Sequence, residues 1–248
     1  MKICLLGTGG YFPNDHRHTA CIWIPEHGLV FDAGTGIYRL NQLPVQARYE
    51  LFLSHAHLDH VIGLTYLLPL TMGVADPPRI RVHGTTPTLA TVREHLFAER
   101  LFPIEPPLEM VELVAVVELA SGARVTSFPQ THPGGSTGFR VDFPHGRSMA
   151  YVTDTTADLS APYVEQIVDV DLLIHECYFA GNSHGWAERT GHSEAARVAD
   201  VAAACRCRRL VLVHLNPRLG PDGQIDLAVF HERGIDTRIG HDLLELEL

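Results

Sequence analysis

The most informative segment of the sequence reads Leu51-Phe52-Leu53-Ser54-His55-Ala56-His57-Leu58-Asp59-His60. Its first four residues form an apolar run typical of a buried strand, and the polar side chains follow where that strand would end. Imidazole nitrogen and carboxylate oxygen are ligands that zinc, iron and manganese accept. Because alternate side chains diverge, His55 and His57 can hold one ion while Asp59 and His60 turn toward a second. A histidine-rich surface loop is the alternative, but the H-x-H-x-D-H spacing favours a metal site.

Length and composition set broad limits. The chain has 248 residues, 46% of them hydrophobic, which is enough for a sizeable core in one large or two small domains. Its formal net charge of −10 argues against a broad basic surface for nucleic acid. The apolar run in residues 1–7 is too short for a signal segment or a membrane span. Five cysteines without a paired framework fit a reducing compartment, so we expect a cytoplasmic protein without membrane contact.

Short apolar strands alternate with longer helical patterns along the chain, which predicts an α/β fold of two βα halves packed sheet to sheet with helices outside. The Pro-rich stretch 102–107 is the predicted linker between the halves, within a single hydrolase domain covering residues 1–248. The predicted strands are 2–6, 20–24, 28–32, 49–54, 79–83, 111–118, 123–128, 136–143, 148–153, 170–175, 209–214 and 242–247. The predicted helices are 63–72, 86–99, 160–168, 193–205 and 225–233.

Three further candidate ligands stand where apolar strands end. His132 follows the run 125–131, Asp154 follows 149–153, and His214 follows 210–213. Strand ends converge at one edge in α/β folds, so these side chains can meet the histidines of the first motif. A single histidine at a strand end is more often a hydrogen-bonded structural residue. When several such residues accompany one H-x-H-x-D-H motif, metal binding becomes the favoured role.

Taken in order, the H-x-H-x-D-H motif, His132, Asp154 and His214 resemble the metallo-β-lactamase superfamily, and the resemblance covers essentially the whole chain. It implies an αββα sandwich, in which two mixed β-sheets are flanked by helices, with two divalent metal ions at one edge. Zinc is the default, and manganese or iron also suits such ligands. The resemblance assigns His55, His57 and His132 to the first ion, and Asp59, His60 and His214 to the second, with Asp154 bridging them.

Four shorter motifs narrow the resemblance to ribonuclease Z-like phosphodiesterases. They are Leu5-Leu6-Gly7-Thr8-Gly9-Gly10, Phe31-Asp32-Ala33-Gly34-Thr35-Gly36, Leu173-Ile174-His175-Glu176-Cys177 and Thr190-Gly191-His192-Ser193. This branch implies that His192 is catalytic and not a metal ligand. The chemistry agrees, because phosphodiester cleavage expels an alkoxide that an imidazole of near-neutral pKa can protonate. A polar residue in a glycine loop is the alternative for His192.

Supporting roles are open at several positions. Asp59 would orient the attacking water, and Glu176 is a candidate to hold the His192 ring. Arg218 can clamp the substrate phosphate or be an ordinary surface arginine. Residues 134–136 can present backbone N–H groups to the same anion or form a plain turn. Asp32 can support a ligand histidine or serve only as a turn-forming aspartate.

The chain departs from ribonuclease Z in one respect. That enzyme carries a long Gly/Pro-rich arm that grips precursor tRNA, inserted between the positions of His132 and Asp154. Here only 21 residues separate them, and they read as a hairpin through Pro144-His145-Gly146. We therefore expect a small or cyclic phosphodiester substrate and not tRNA. Cys205 and Cys207 are expected to be packing residues, not ligands of an accessory zinc.

Other functions stay open as alternatives: a tRNA 3′-end endonuclease of the ribonuclease Z type, a thioester or lactone hydrolase, a β-lactamase, or a silent scaffold. The complete ligand set argues against a silent scaffold. The branch often forms dimers, so a homodimer is a further expectation.

Overall fold

The computed structural model of the chain describes residues 1–181 and 183–248. The chain divides into two compact units. The first contains Met1–Leu113 together with Asp242–Glu247, and the second contains Val114–His241 and Leu248. The C-terminal strand therefore returns to the N-terminal unit.

The first unit is built on a mixed seven-stranded sheet in the order β14-β1-β2-β3-β4-β5-β6. Neighbours from β14 to β3 are antiparallel, and those from β3 to β6 are parallel. The strands are β1 (Lys2–Gly7), β2 (Cys21–Ile24), β3 (Leu29–Phe31), β4 (Arg48–Phe52), β5 (Arg79–Gly84), β6 (Leu108–Glu112) and β14 (Leu244–Glu247). The helices are α1 (Leu58–Val61), α2 (Leu68–Thr71) and α3 (Thr86–Thr91), with 3-10 segments at Pro25–His27, Thr35–Gln42 and Ile62–Leu67 and a π segment at Val92–Leu96.

Helices cover one face of this sheet. Alternate strand residues such as Leu51 and Val82 share a core cluster with Ile37 and Leu64 from the helical segments. The intervening strand residues, such as Phe52, are buried as well. Strands buried on both faces read as nearly continuous apolar runs, which explains why these strands were visible in the sequence.

The second unit holds another mixed seven-stranded sheet, in the order β13-β12-β11-β10-β9-β8-β7. Neighbours from β7 to β10 are antiparallel, and those from β10 to β13 are parallel. The strands are β7 (Val116–Glu118), β8 (Arg124–Gln130), β9 (Ser136–Asp142), β10 (Ser148–Val152), β11 (Leu172–Glu176), β12 (Arg209–Val213) and β13 (Asp236–Ile239). The helices are α4 (Tyr163–Gln166), α5 (His184–Thr190), α6 (Ala195–Ala204) and α7 (Ala228–His231).

Helix α6 provides most of the helical side of the second core. Its buried residues Val198, Ala199 and Ala202 belong to one cluster with Leu173 and Leu212 of the central strands. The predicted fold class is confirmed: there are two mixed β-sheets, each with its own helices.

Some predicted elements were wrong in extent. The single strand predicted at 111–118 is two strands, β6 and β7, with the boundary between the units falling between Leu113 and Val114. The predicted linker 102–107 therefore lies inside the first unit, because the strand that follows it, β6, pairs with β5 in the first sheet. Strand β13 was missed because Asp236-Thr237-Arg238-Ile239 carries one apolar residue only. Helix α5 was also missed.

Among the described residues, every helix is too short or too polar to cross a bilayer.

The five cysteines provide a test of the packing. All are free and buried, and burial raises the pKa of Cys205 to about 11 and that of Cys207 to about 12. Because the thiolate is the reactive form, we expect negligible reaction with a thiol reagent at about pH 8 until the protein is unfolded, when all five react. Fast labelling of Cys205 and Cys207 in the native protein, or their protection by a bound zinc, would contradict their assignment as packing residues.

Candidate functional site

In the first unit, the H-x-H-x-D-H motif turns directly after β4. His57 stands just before the short helix α1, and the backbone N–H of His60 donates to the carbonyl of His57 (2.9 Å). This turn gathers the imidazoles: ring centroids lie 4.4 Å apart for His55 and His57, and 4.3 Å apart for His55 and His60. His55 and His60 are buried, whereas His57 is exposed. Three potential nitrogen ligands are thus grouped by one turn.

Asp32 supports this group from the end of β3. It is fully buried, and its carboxylate accepts hydrogen bonds from the Ser54 backbone N–H (2.8 Å), the Ser54 hydroxyl (2.9 Å) and His60 Nδ1 (2.8 Å). A carboxylate can only accept, so the proton of His60 is on Nδ1 and its Nε2 keeps a lone pair for a metal ion. Asp32 therefore supports a ligand histidine, which is more than a turn-forming role.

Asp59 is fixed from two sides. Its Oδ2 accepts the backbone N–H of Tyr11 (2.7 Å) and lies 3.4 Å from His60 Nε2. On its main-chain side, a Cβ on Gly34 would collide with the carbonyl oxygen of Asp59, so the glycine permits this close approach.

In the second unit, three strands end at the remaining candidate ligands: β8 before His132, β10 before Asp154 and β12 before His214. Asp154 Oδ2 lies 3.4 Å from His132 Nε2, and Asp154 Oδ1 lies 3.4 Å from His214 Nε2. Two ligand atoms that each lie about 2.1 Å from one tetrahedral ion are separated by about 3.4 Å. Each oxygen of Asp154 thus faces a different imidazole, which is the arrangement a bridging carboxylate requires.

The protonation of His132 also suits a ligand. Its Nδ1 donates to the carbonyl oxygen of Gly191 (2.9 Å), so Nε2 is left as the acceptor. Burial is the main cause that lowers the pKa of His132, and it outweighs the opposing effect of Asp154. The neutral imidazole is the form that binds metals. The imidazole and carboxylate donors described in each unit are therefore of the kind that divalent metal ions accept.

Asp154 and His214 are held in an uncommon backbone conformation. Both have positive φ, 51° for Asp154 and 52° for His214, as does Asp32 at 57°. Non-glycine residues in this region carry strain that persists only where the surroundings impose it, and such residues cluster at functional sites. Each of the three residues lies just after the end of a strand, where the positive φ turns the chain away from the strand direction.

His192 is paired with a buried glutamate. Glu176 Oε2 lies 3.2 Å from His192 Nδ1, and Glu176 Oε1 accepts the backbone N–H of Thr155 (2.7 Å). Glu176 is fully buried, whereas the side chain of His192 is 15% exposed. The ring of Tyr178 stacks on His192 with centroids 4.7 Å apart and planes at 17°. The expected contact between Glu176 and His192 is therefore present, and Tyr178 adds a second constraint on the ring.

Within the second unit, Asp154, His192 and His214 each offer a ligand atom within 4.8 Å of those of the other two. His192 thus stands beside the ligands, while its Nδ1 is directed to Glu176.

The candidate anion-binding groups receive less support. Gly135 donates its N–H to the carbonyl of His132 (2.8 Å), so that group is used by the turn itself. Ser136 begins β9, and its hydroxyl donates to the carbonyl of Thr153 (3.2 Å). Arg218 is exposed in the loop after His214, and its backbone N–H donates to Asn216 Oδ1 (3.0 Å). Its role as a phosphate clamp stays a prediction.

Sequence reasoning missed two residues. Tyr178 follows the Leu173–Cys177 motif directly, and Tyr11 follows the Gly9-Gly10 pair. Neither residue is part of a motif with a recognisable spacing. Each reaches the candidate site through a contact between distant segments: the Tyr178 ring stacks on His192, and the Tyr11 backbone N–H donates to Asp59.

The family model described as "Beta-lactamase superfamily domain" matches residues 27–215. The chain belongs to this superfamily and is one of its metal-dependent hydrolases. Within it, the chain lies in the ribonuclease Z-like branch. Ribonuclease Z from Salinibacter ruber is 32% identical, covering 88% of this chain and 86% of its own length.

Two solved structures share the fold. Human tRNase Z, short form, superposes with a TM-score of 0.77 at 21% identity, covering 100% of this chain and 99% of its own. A diphosphatase from the PhnP family gives a TM-score of 0.75 at 18% identity, with 100% and 97% covered. At 21% and 18% identity, these two comparisons show a shared fold and do not by themselves show a shared activity.

The relatives are longer than this chain where they align. The alignment with the Salinibacter ruber protein runs over 279 positions, whereas this chain has 248 residues. The relative therefore has segments without a counterpart in this chain.

The tautomer set by Asp32 can be tested with Asp32→Asn. Asparagine keeps the shape and an acceptor for Ser54 but presents an NH₂ group toward His60, which forces the proton onto His60 Nε2. We expect metal affinity to fall roughly 10- to 100-fold, measured by competition with a chelator. The matched control is Asp169→Asn, which changes an exposed ion pair with Arg206. Equal affinities for both variants would show that Asp32 has no part in metal binding.

Proposed function

We propose that the seven candidate ligands from both units form one dinuclear centre, within a single hydrolase domain covering residues 1–248. His55, His57 and His132 would hold one ion; Asp59, His60 and His214 would hold the other; Asp154 would bridge. The two oxygens of Asp154, each facing a different imidazole, are the observation that supports the bridge. Zinc is the proposed metal, with manganese or iron as alternatives. When bound, the ions supply Lewis acidity that activates water and stabilises charge at phosphorus.

We infer that the reaction is hydrolysis of a phosphodiester, and the His192–Glu176 pair is the observation that carries this proposal. Water adds at phosphorus, the bond from phosphorus to the leaving oxygen breaks, and the leaving oxygen needs a proton. His192 would supply it from Nε2 while Nδ1 donates to Glu176. Glu176 is a positioning residue, since it acts through the ring of His192. Asp59, held by the Tyr11 N–H, would orient the attacking water.

We propose a small or cyclic phosphodiester as the substrate. The segment between β9 and β10 is a closed turn, in which Phe143 N–H donates to the Arg147 carbonyl (2.9 Å) and Gly146 N–H donates to the Phe143 carbonyl (2.9 Å). No room for an arm is left at this position of the chain. The net charge of −10 is also unfavourable for a long polyanion.

Cleavage of precursor tRNA at its 3′ end is the second candidate. It is favoured by the relative from Salinibacter ruber, whose name is ribonuclease Z, at 32% identity. A tRNA substrate would then have to be bound without an arm between β9 and β10.

The first test is a hydrolysis panel on the metal-loaded protein: bis-p-nitrophenyl phosphate, 2′,3′- and 3′,5′-cyclic nucleotides, a precursor tRNA, a thioester and a lactone. We expect turnover of the small phosphodiesters, together with about two metals per chain. Turnover of the precursor tRNA alone would replace the small-substrate proposal with the second candidate. Turnover of only the thioester or lactone would reject phosphodiester hydrolysis altogether.

The role of His192 is tested by His192→Ala with His145→Ala, an exposed histidine in the β9–β10 turn, as control. We expect kcat to fall by about 10² to 10⁴ for His192→Ala with metal content retained, and no change for the control. Glu176→Gln should lower kcat less, because the amide still accepts the Thr155 N–H. Loss of metal in His192→Ala would instead identify His192 as a ligand.

For the cellular location we propose the cytoplasm, and the five free cysteines support a reducing compartment. A homodimer stays a prediction.

A further inference from the structure

A loop beside Asp59 presents two aromatic rings to solvent. It runs from Gly9 to Thr19, and its Tyr11 donates its backbone N–H to Asp59 Oδ2 (2.7 Å). Tyr11 is 71% exposed and Phe12 is 39% exposed, with the two rings edge to face at a centroid distance of 5.2 Å. The ring pair is therefore attached to the carboxylate that we propose to orient the attacking water.

This loop is held in place by its own hydrogen bonds. Gly9 N–H donates to the His18 carbonyl (2.9 Å), Phe12 N–H to the Gly10 carbonyl (2.8 Å), and Asn14 N–H to the Arg17 carbonyl (2.9 Å). The loop is thus closed across its base, with Tyr11 and Phe12 in the part of the loop beyond it.

Buried charges anchor the base of the loop. Arg17 is buried, and its guanidinium donates to Thr8 Oγ1 (2.6 Å). Asp242, from the C-terminal segment of the same unit, accepts from the Thr8 N–H (3.0 Å), the His18 N–H (2.7 Å) and Arg39 Nη1 (2.8 Å). A preformed loop loses little entropy when it binds a ligand.

The conformation of Tyr11 adds a second sign of function. Its φ is 65°, a region that costs energy for a bulky aromatic residue. The ring of Tyr11 is nevertheless exposed to solvent, so burial of apolar surface does not offset the energetic cost of this backbone conformation. Strain of this kind is kept where a site requires it.

We propose that Tyr11 and Phe12 form a stacking site for a nucleobase next to the scissile phosphate. This inference rests on the proposed phosphodiesterase function and narrows its substrate to a base-bearing phosphodiester. Aromatic rings stack on any base through its π-face, so the site tolerates different bases. Each stacked ring contributes a factor of roughly 5 to 150 in affinity.

A matched pair of substrates tests the site. Adenosine 2′,3′-cyclic phosphate carries a base, whereas the 2,3-cyclic phosphate of 1-O-methylribose has the same scissile bond without one. We expect a 5-fold or greater preference in kcat/KM for the base-bearing compound, expressed mainly in KM. Equal values for the two compounds in the wild-type protein would overturn the proposal.

Substitutions at Tyr11 and Phe12 then test whether the two rings cause the preference for the base-bearing substrate. Tyr11→Leu and Phe12→Leu keep an apolar side chain and the backbone N–H to Asp59 but remove the aromatic face. We expect each to raise KM for the adenosine compound at least 5-fold and to leave the ribose compound unchanged. Tyr11→Phe should retain the preference, and Val45→Ala, an exposed apolar residue of the same unit, serves as the control. An undiminished preference in both leucine variants would reject the assignment.

A binding measurement separates this inference from the proposed function. Calorimetry on the metal-loaded His192→Ala variant compares adenosine 5′-monophosphate with ribose 5-phosphate and needs no turnover. Tighter binding of the adenosine compound, lost in the leucine variants, supports the stacking site even if the panel shows no phosphodiester hydrolysis. Equal binding of both compounds rejects the stacking site even if phosphodiesters are hydrolysed.

Discussion

In each of the two units, a buried carboxylate fixes an imidazole. In the first unit Asp32 accepts the Nδ1 proton of His60, and in the second Glu176 faces Nδ1 of His192. A buried charge without partners would be costly, so each carboxylate also accepts a backbone N–H, from Ser54 and Thr155 respectively. These hydrogen bonds tie the orientation of each ring to the fold, because the strand ends must be in place before either carboxylate can reach its ring.

The positive-φ residues show how strands deliver side chains to the site. Asp32, Asp154 and His214 all leave a strand through the left-handed region, which lets the chain turn sharply at the sheet edge. A glycine would adopt this conformation without strain but would provide no ligand. The chain instead keeps the functional side chain, and the surrounding hydrogen bonds stabilise the strained backbone.

Two features support the proposal of a small substrate. One is the short turn between β9 and β10, and the other is the hydrogen-bonded loop that carries Tyr11 and Phe12. Because the turn between β9 and β10 leaves no room for an arm, the proposed substrate would be recognised close to the reacting bond. The aromatic rings of the hydrogen-bonded loop beside Asp59 would offer such recognition at low entropic cost. Under these proposals, substrate specificity would depend on a few exposed residues, and the metal ligands would determine the type of reaction.

The α/β class and the candidate ligands could be read from the sequence, because buried strands are long apolar runs and the candidate ligands follow where those runs end. The superfamily could be read from the resemblance of its motifs. The sequence did not reveal β13, because that strand carries one apolar residue only. It also did not reveal the boundary between Leu113 and Val114, because the pairing of β6 with β5 is a non-local contact. Three contacts became visible in the folded chain alone: Asp32 accepts from His60, Tyr178 stacks on His192, and the Tyr11 N–H donates to Asp59. The physical reason is the same in each case: a motif reports residue type and spacing, whereas hydrogen bonds and ring contacts between distant segments depend on how the chain is folded.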